Sequence, residues 1–227
     1  MNTLFTRFTY YLRYTALSLI TSIVVASFFA GGYGLLEPMF AQAANSQVVT
    51  VTLNVTTGVA VTVDRNAISM STNLGVAQNT AVGTSTFTVA TNDPNGYTFT
   101  LAASTFPAMQ SGSNNVTDYA TTTSPTIWSV PATTALFGFS VIGSDITPSG
   151  SYWGSGSFCN GAASSTISTT LKYTGFYNVA TTTAKNTSTT TQTGDNTIVC
   201  YAVAQGTSYY IPGGTYTATI TGTATAN

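Results

Sequence analysis

Histidine is missing from this chain altogether, and charged residues fill only 5% of its 227 positions. Glutamate occurs once, at Glu37, so from Ala44 onward the charged side chains are five aspartates, two lysines and one arginine. Each absence excludes something. Without histidine there is neither a Ser–His nor a Cys–His pair, so nucleophilic hydrolysis of that kind has no base. Arg65, Lys172 and Lys185 stand far apart in sequence, so no basic cluster exists to displace counterions from a phosphate backbone. Nucleic acid is thereby excluded as a partner, and an anionic membrane surface is disfavoured for the same reason. What stands in place of charge is threonine, 42 of the 184 residues from Ala44 onward. A neutral, hydrated, β-branched composition of this kind suits an inert β-rich surface.

The first 43 residues read as an export signal. Arg7 and Arg13 are the only charges before Glu37, and the 23 residues from Tyr14 to Leu36 form an uncharged, mostly apolar helical run. A basic n-region followed by such an h-region is the pattern of a signal peptide. Pro38 ends the run, and Ala41-Gln42-Ala43 offers small residues at the signal-peptidase spacing, which places cleavage before Ala44. An uncleaved leader is the competing reading, since a 23-residue helix would cover the ~30 Å hydrocarbon core. Gly31, Gly32 and Gly34 weaken the outer half of that span. Any membrane association is expected through this leader alone. The remainder, residues 44–227, is expected to be one domain.

That domain has enough apolar material for a core, with aromatics at 12% and hydrophobic residues at 43% of the whole chain. Disorder is disfavoured on that ground. Low charge also removes the repulsion that ordinarily keeps molecules apart, which eases self-association. Cys159 and Cys200 are the only cysteines. In an exported chain oxidation is the default, and one intramolecular pairing is available, with two separate buried thiols as the alternative.

Period-two alternation recurs along the domain. Val49, Val51, Leu53 and Val55 share one face of a half-buried strand, and Val59, Val61 and Val63 repeat the pattern after Gly58. Phe87 and Val89 lead into a turn at Asn92–Gly96, and Tyr97, Phe99 and Leu101 follow, which reads as a hairpin. Further strands are expected at 135–142, 167–173, 197–204 and 215–224, with polar loops or long hairpin tips at 104–126 and 180–196, the second having a mucin-like linker as its alternative. Short alternating strands, turn residues and no helical period after the leader give an all-β fold, an antiparallel β-sandwich or jelly roll preceded by the signal helix. The strand nearest the cleavage site, Val49 to Val55, is expected to pair within its own sandwich or with the open edge of a second copy, giving a homo-oligomer.

Candidate chemistry is sparse. Of Asp64, Asp93, Asp118, Asp145 and Asp195, Asp64 precedes Arg65-Asn66, Asp93 precedes Pro94 and Asp195 lies between Gly194 and Asn196, turn contexts in which aspartate bonds nearby backbone, so no catalytic residue is assigned. Asp93-Pro94-Asn95-Gly96 shares the opening of a calcium loop but lacks the alternating oxygen ligands and distal glutamate. No metal or cofactor is expected. The three Asn-x-Ser/Thr matches, at Asn54, Asn115 and Asn186, are what chance supplies in so Thr-rich a chain. Lys172, in a strand-like run, is an isopeptide candidate or an ordinary edge lysine. Tyr152 and Trp153, in a Gly/Ser-rich loop, either stack on a sugar face or plug the end of the sandwich.

Two stretches carry a resemblance: NDPNGYTFTL at 92–101 and PGGTYTATITGTA at 212–224. Together they resemble exported Thr/Ser-rich β-sandwich surface proteins of small-genome candidate-phylum bacteria. More loosely, they are similar to the wall-binding WxL domain, which often ends in a Gly-Thr-Tyr strand. The nearest counterpart of the Trp-x-Leu motif is Trp128-Ser129-Val130, with no second copy. The resemblance implies a cell-envelope setting and a sandwich fold, and an exported, non-enzymatic structural or adhesive protein is the expectation. A carbohydrate-binding module led by Tyr152 and Trp153 is the alternative. Intact-mass analysis of exported material is expected to place the N-terminus at Ala44 or within a residue or two. Recovery of the chain in membranes with residues 1–36 attached would contradict the signal-peptide reading.

Overall fold

The computed structural model describes residues 50–119, 124–161, 163–176 and 181–227. The leader, its expected cleavage site and Val49 lie outside these. The chain divides into two compact units, Met1–Asn54 and Val55–Asn227, and every strand among the described residues belongs to the second. In chain order the strands are β1 (Val59–Val63), β2 (Thr80–Thr91), β3 (Tyr97–Ala103), β4 (Met109–Ser111), β5 (Asn114–Asp118) and β6 (Thr126–Ile127). They are followed by β7 (Ala135–Gly143), β8 (Lys172–Tyr173), β9 (Thr181–Asn186), β10 (Asp195–Gln205) and β11 (Ile220–Ala226).

The all-β expectation holds, but the sheets are not purely antiparallel. A six-stranded, strongly curled sheet runs β1-β2-β10-β7-β5-β4, a three-stranded sheet runs β11-β3-β9, and β6 pairs with β8. Within the large sheet β5 lies parallel to β7, Thr117 opposite Leu136 and Asp118 opposite Phe137. Parallel neighbours need a long crossover, and the segment between Tyr119 and Thr134 supplies it.

Asn92–Gly96 is a turn but not a hairpin. It carries the chain from β2 in the large sheet to β3 in the small one, and Phe87 and Phe99 then meet across the interior with ring centroids 5.2 Å apart. Alternation marks a strand with one buried face without saying which sheet it joins, so hairpin and arch read alike in sequence. The Thr-rich stretch expected as a loop contains β9, and residues 104–126 contain the β4–β5 hairpin. Threonine is β-branched, and its strand preference prevails where the neighbour β3 offers pairing. The expected strand at 167–173 shortens to β8, and the last strand starts at Ile220 rather than at 215. Residues 50–58 form no strand, and Val51, Leu53 and Val55 are 87%, 81% and 71% exposed. The half-buried strand expected at Val49–Val55 is not seen over residues 50–55, which pair with no strand among the described residues.

One core fills the space between the large and small sheets. Phe87 and Val89 of β2, Phe137, Phe139 and Val141 of β7, and Val199, Tyr201 and Val203 of β10 face Tyr97, Phe99 and Leu101 of β3 and Ala184 of β9. A second core covers the opposite face of the large sheet, where Val82, Cys200, Ala202 and Ala204 pack under Tyr119, Ile167, Leu171, Tyr173 and Cys159. Gly138 makes that covering layer fit: a Cβ there would come within 2.7 Å of Thr174 O and of Tyr119 Cβ. Tyr119 in turn stacks on Trp128 at 4.5 Å, and Trp128 meets the edge of Tyr173 at 5.2 Å.

Cys159 and Cys200 form a disulfide across 41 residues, tying the covering layer to the outer face of β10. Closing a loop of that length is worth about 4 kcal/mol in the chain-entropy model. Replacing both cysteines by serine is therefore expected to lower unfolding stability by about 3–5 kcal/mol in denaturant titration. A loss well under 1 kcal/mol would show that the covering layer holds without its cross-link.

Candidate functional site

Four chain segments bring the main polar cluster together. Thr197 of β10 lies opposite Gly143 of β7, so Asp195, two residues before the one, comes beside Asp145, two residues after the other. Tyr97, opening β3, lies opposite Asn186, closing β9. Asn186 Nδ2 donates to Asp195 Oδ2 at 2.8 Å and to Asp145 Oδ2 at 3.3 Å, and Tyr97 Oη donates to Asp145 Oδ2 at 3.1 Å. Burial raises the Asp145 pKa, and its hydrogen bond and charge repulsion with Asp195 raise it further. Burial, then the Asp145 charge, raises the Tyr97 pKa as well, so the phenol stays protonated and acts as a donor.

This arrangement holds strand ends together. An amide and a phenol supply hydrogens to two carboxyls, fixing the starts of β3 and β10 and the ends of β7 and β9. Asn186, which matched a glycosylation pattern in the sequence, spends its side-chain amide here and its Oδ1 on Ser188 N and Oγ. Nothing local in the sequence announces the cluster, because Asp145 and Asp195 are brought close only by strand register. Among the described residues no group of three or more His, Cys, Asp or Glu side chains could hold a metal ion.

The other aspartates are used singly. Asp64 accepts from Thr86 N at 2.9 Å and from Arg65 Nε at 3.1 Å, and the backbone bond holds its pKa below the ordinary value. Asp93 Oδ1 accepts from Asn95 N at 2.8 Å, the turn role expected of it. Asp118 is buried in β5, its two oxygens 3.2 and 3.1 Å from Ala108 N. Lys172 lies in β8 opposite Ile127.

The loop aromatics sit inside. Trp153 follows a 3₁₀ turn at Gly150–Tyr152 and is 1% exposed. Its Nε1 donates to Thr147 O at 3.2 Å, and its ring packs against Phe139 at 5.7 Å and the edge of Tyr152 at 5.3 Å. Gly154, with φ of 90°, turns the chain so tightly that a Cβ would lie 2.2 Å from Thr170 O. Tyr152 itself is half-buried. Comparisons with protein-family models, curated proteins and solved structures return no match.

Burial pushes the Asp118 carboxyl up to about 6 from an ordinary 3.8, against the pull of the Ala108 N–H. A carboxyl whose pKa is raised on folding contributes stability below its unfolded value, and the contribution is lost as pH rises through the folded one. The denaturation midpoint is accordingly expected to fall between about pH 4 and pH 7, with a shallower fall in Asp118→Asn. An identical slope in the two proteins would contradict this assignment.

Proposed function

We propose that this chain is an exported, non-enzymatic structural or adhesive protein of the cell envelope, its two larger sheets serving as the layers of a jelly-roll-like β-sandwich. The observation that carries the reading is the Cys159–Cys200 disulfide, which suits an oxidising compartment. Supporting it are the export-type leader and a charge-poor, threonine-rich domain in which Asp64, Asp93, Asp118, Asp145 and Asp195 all accept hydrogen bonds from groups of the fold. Threonines project from the exposed face of β11, at Thr221, Thr223 and Thr225, and give the small sheet a hydrated neutral surface. The likeness to Thr/Ser-rich bacterial surface proteins points the same way. A sugar-binding role for Tyr152 and Trp153 would require Trp153 to leave its place beside Phe139.

Surface labelling of intact cells with a membrane-impermeant amine reagent, followed by non-reducing peptide mapping, tests the assignment. Labelled, disulfide-linked protein in the envelope or medium is expected. Protein that is shielded from the reagent inside the cell, with Cys159 and Cys200 reduced, would overturn it.

A further inference from the structure

Val51, Leu53 and Val55 alternate with Thr52 and Asn54, and all five are exposed. β1, which follows this segment in the chain, is paired on one side only among the described residues. Gly58 O accepts from Asn92 N, and Asp64 N donates to Thr86 O. With the β1–β2 register, residues 58, 60, 62 and 64 therefore turn their amides toward β2, and Val59, Val61 and Val63 turn theirs away. β1 is the outermost strand of the large sheet. Edges of this kind are ordinarily blunted by lysine, proline or a bulge. Residues 50–63 contain no proline and no charge, β1 pairs with β2 without a register shift, and Val61 is 39% exposed.

Asn92 fixes how the chain enters this strand. Its Nδ2 donates to Thr56 O at 2.9 Å, and its Oδ1 accepts from Gly58 N at 2.7 Å. Thr56 and Gly58 are thus held facing the β2 side, as a longer partner strand would hold them, and Thr57 falls in line with Val59 and Val61. Folding back onto the free edge of its own β1 would require a reversal within Thr56–Gly58, at the cost of both bonds.

We propose that two copies of the chain pair along this edge, residues 50–62 of one running antiparallel to residues 50–62 of the other about a two-fold axis at Thr56. In that register Val61 lies opposite Val51 of the second copy, Val59 opposite its Leu53, and Thr57 opposite its Val55. All are odd-numbered, so the outward amides of β1 meet amides of the same parity. Directly opposed residues in an antiparallel pair share a face, so Val51 and Leu53 come to rest beside Val61 and Val59, on the side where Val59 and Val63 already pack against the core. The contact is self-complementary, which closes the assembly at two copies. The absence of charge on both strands leaves no like-charge repulsion to oppose it.

This deepens the structural-subunit reading and can fail without it, since a monomer at the cell surface would keep the envelope assignment. The test uses the exported chain carrying Thr56→Cys. The two native cysteines are already bonded to each other, so the new thiol is the one available to oxidise. Mild oxidation is expected to give a covalent dimer, as is Thr50→Cys combined with Thr62→Cys, whereas Thr62→Cys alone gives none. Sedimentation of the unmodified protein is expected to show twice the monomer mass. Val61→Lys is expected to restore the monomer while the far-ultraviolet β signature is retained. Three results would each overturn the proposal: a monomer at every concentration, equal cross-linking at Thr56 and Thr62, or an open-ended ladder in place of a dimer.

Discussion

Strand β10 is buried on both faces, and the rest of the domain is arranged to keep it so. Val199, Tyr201 and Val203 enter the core shared with the small sheet, while Cys200, Ala202 and Ala204 lie under the covering layer. A strand in that position must have all its backbone groups paired, and β2 and β7 supply the two ladders along most of its length. Small residues on the outer face let the covering layer approach closely, and Cys200 bonds it in place. The two ends are held by side chains: Asp195 in the Asn186 cluster, and Gln205, whose amide donates to Gly75 O at 2.8 Å and accepts from Ile211 N at 3.1 Å.

A nearly chargeless chain can support this plan because many of its buried polar groups are hydrogen-bonded within the fold. Tyr201 Oη and Ser85 Oγ satisfy each other inside the core at 2.9 Å. Tyr119 Oη donates to Ile127 O at 2.8 Å and accepts from Ser129 N at 3.1 Å, holding the crossover that parallel pairing of β5 and β7 requires. Burying such groups is tolerable only when they are hydrogen-bonded. The same economy leaves a surface of threonine and serine, hydrated without charge, which is compatible with an envelope setting and offers no electrostatic barrier to a second copy.

Much of the strand inventory was legible from the chain alone. Alternation located β1, β3, β7 and β10 closely and the C-terminal half of β2, because each has at least one face that must be apolar. It could not assign strands to sheets, so Asn92–Gly96 read as a hairpin where it is an arch. Composition misled at β9, whose threonines read as a polar loop until β3 gave them a partner. Trp153 was ambiguous for another reason: a ring in a Gly/Ser loop reads the same whether it points outward or inward, and only Gly154 and Phe139 together decide it. The Asp145–Asn186–Asp195 cluster had no local signature, since it depends on the register between β7 and β10. The disulfide was readable from cysteine count and export context, but its role in pinning a second layer required knowing that Cys200 faces away from the main core.

Hydrogen exchange followed by mass spectrometry tests the central claim most directly, because protection reports how deeply each strand is embedded in cooperative structure. If β10 is the spine of the domain, amides of Asp195–Gln205 exchange last and only through global unfolding, with β2 and β7 close behind and β11 well ahead of them. Exchange in β10 as fast as in β11 would mean that the two cores are not built on it.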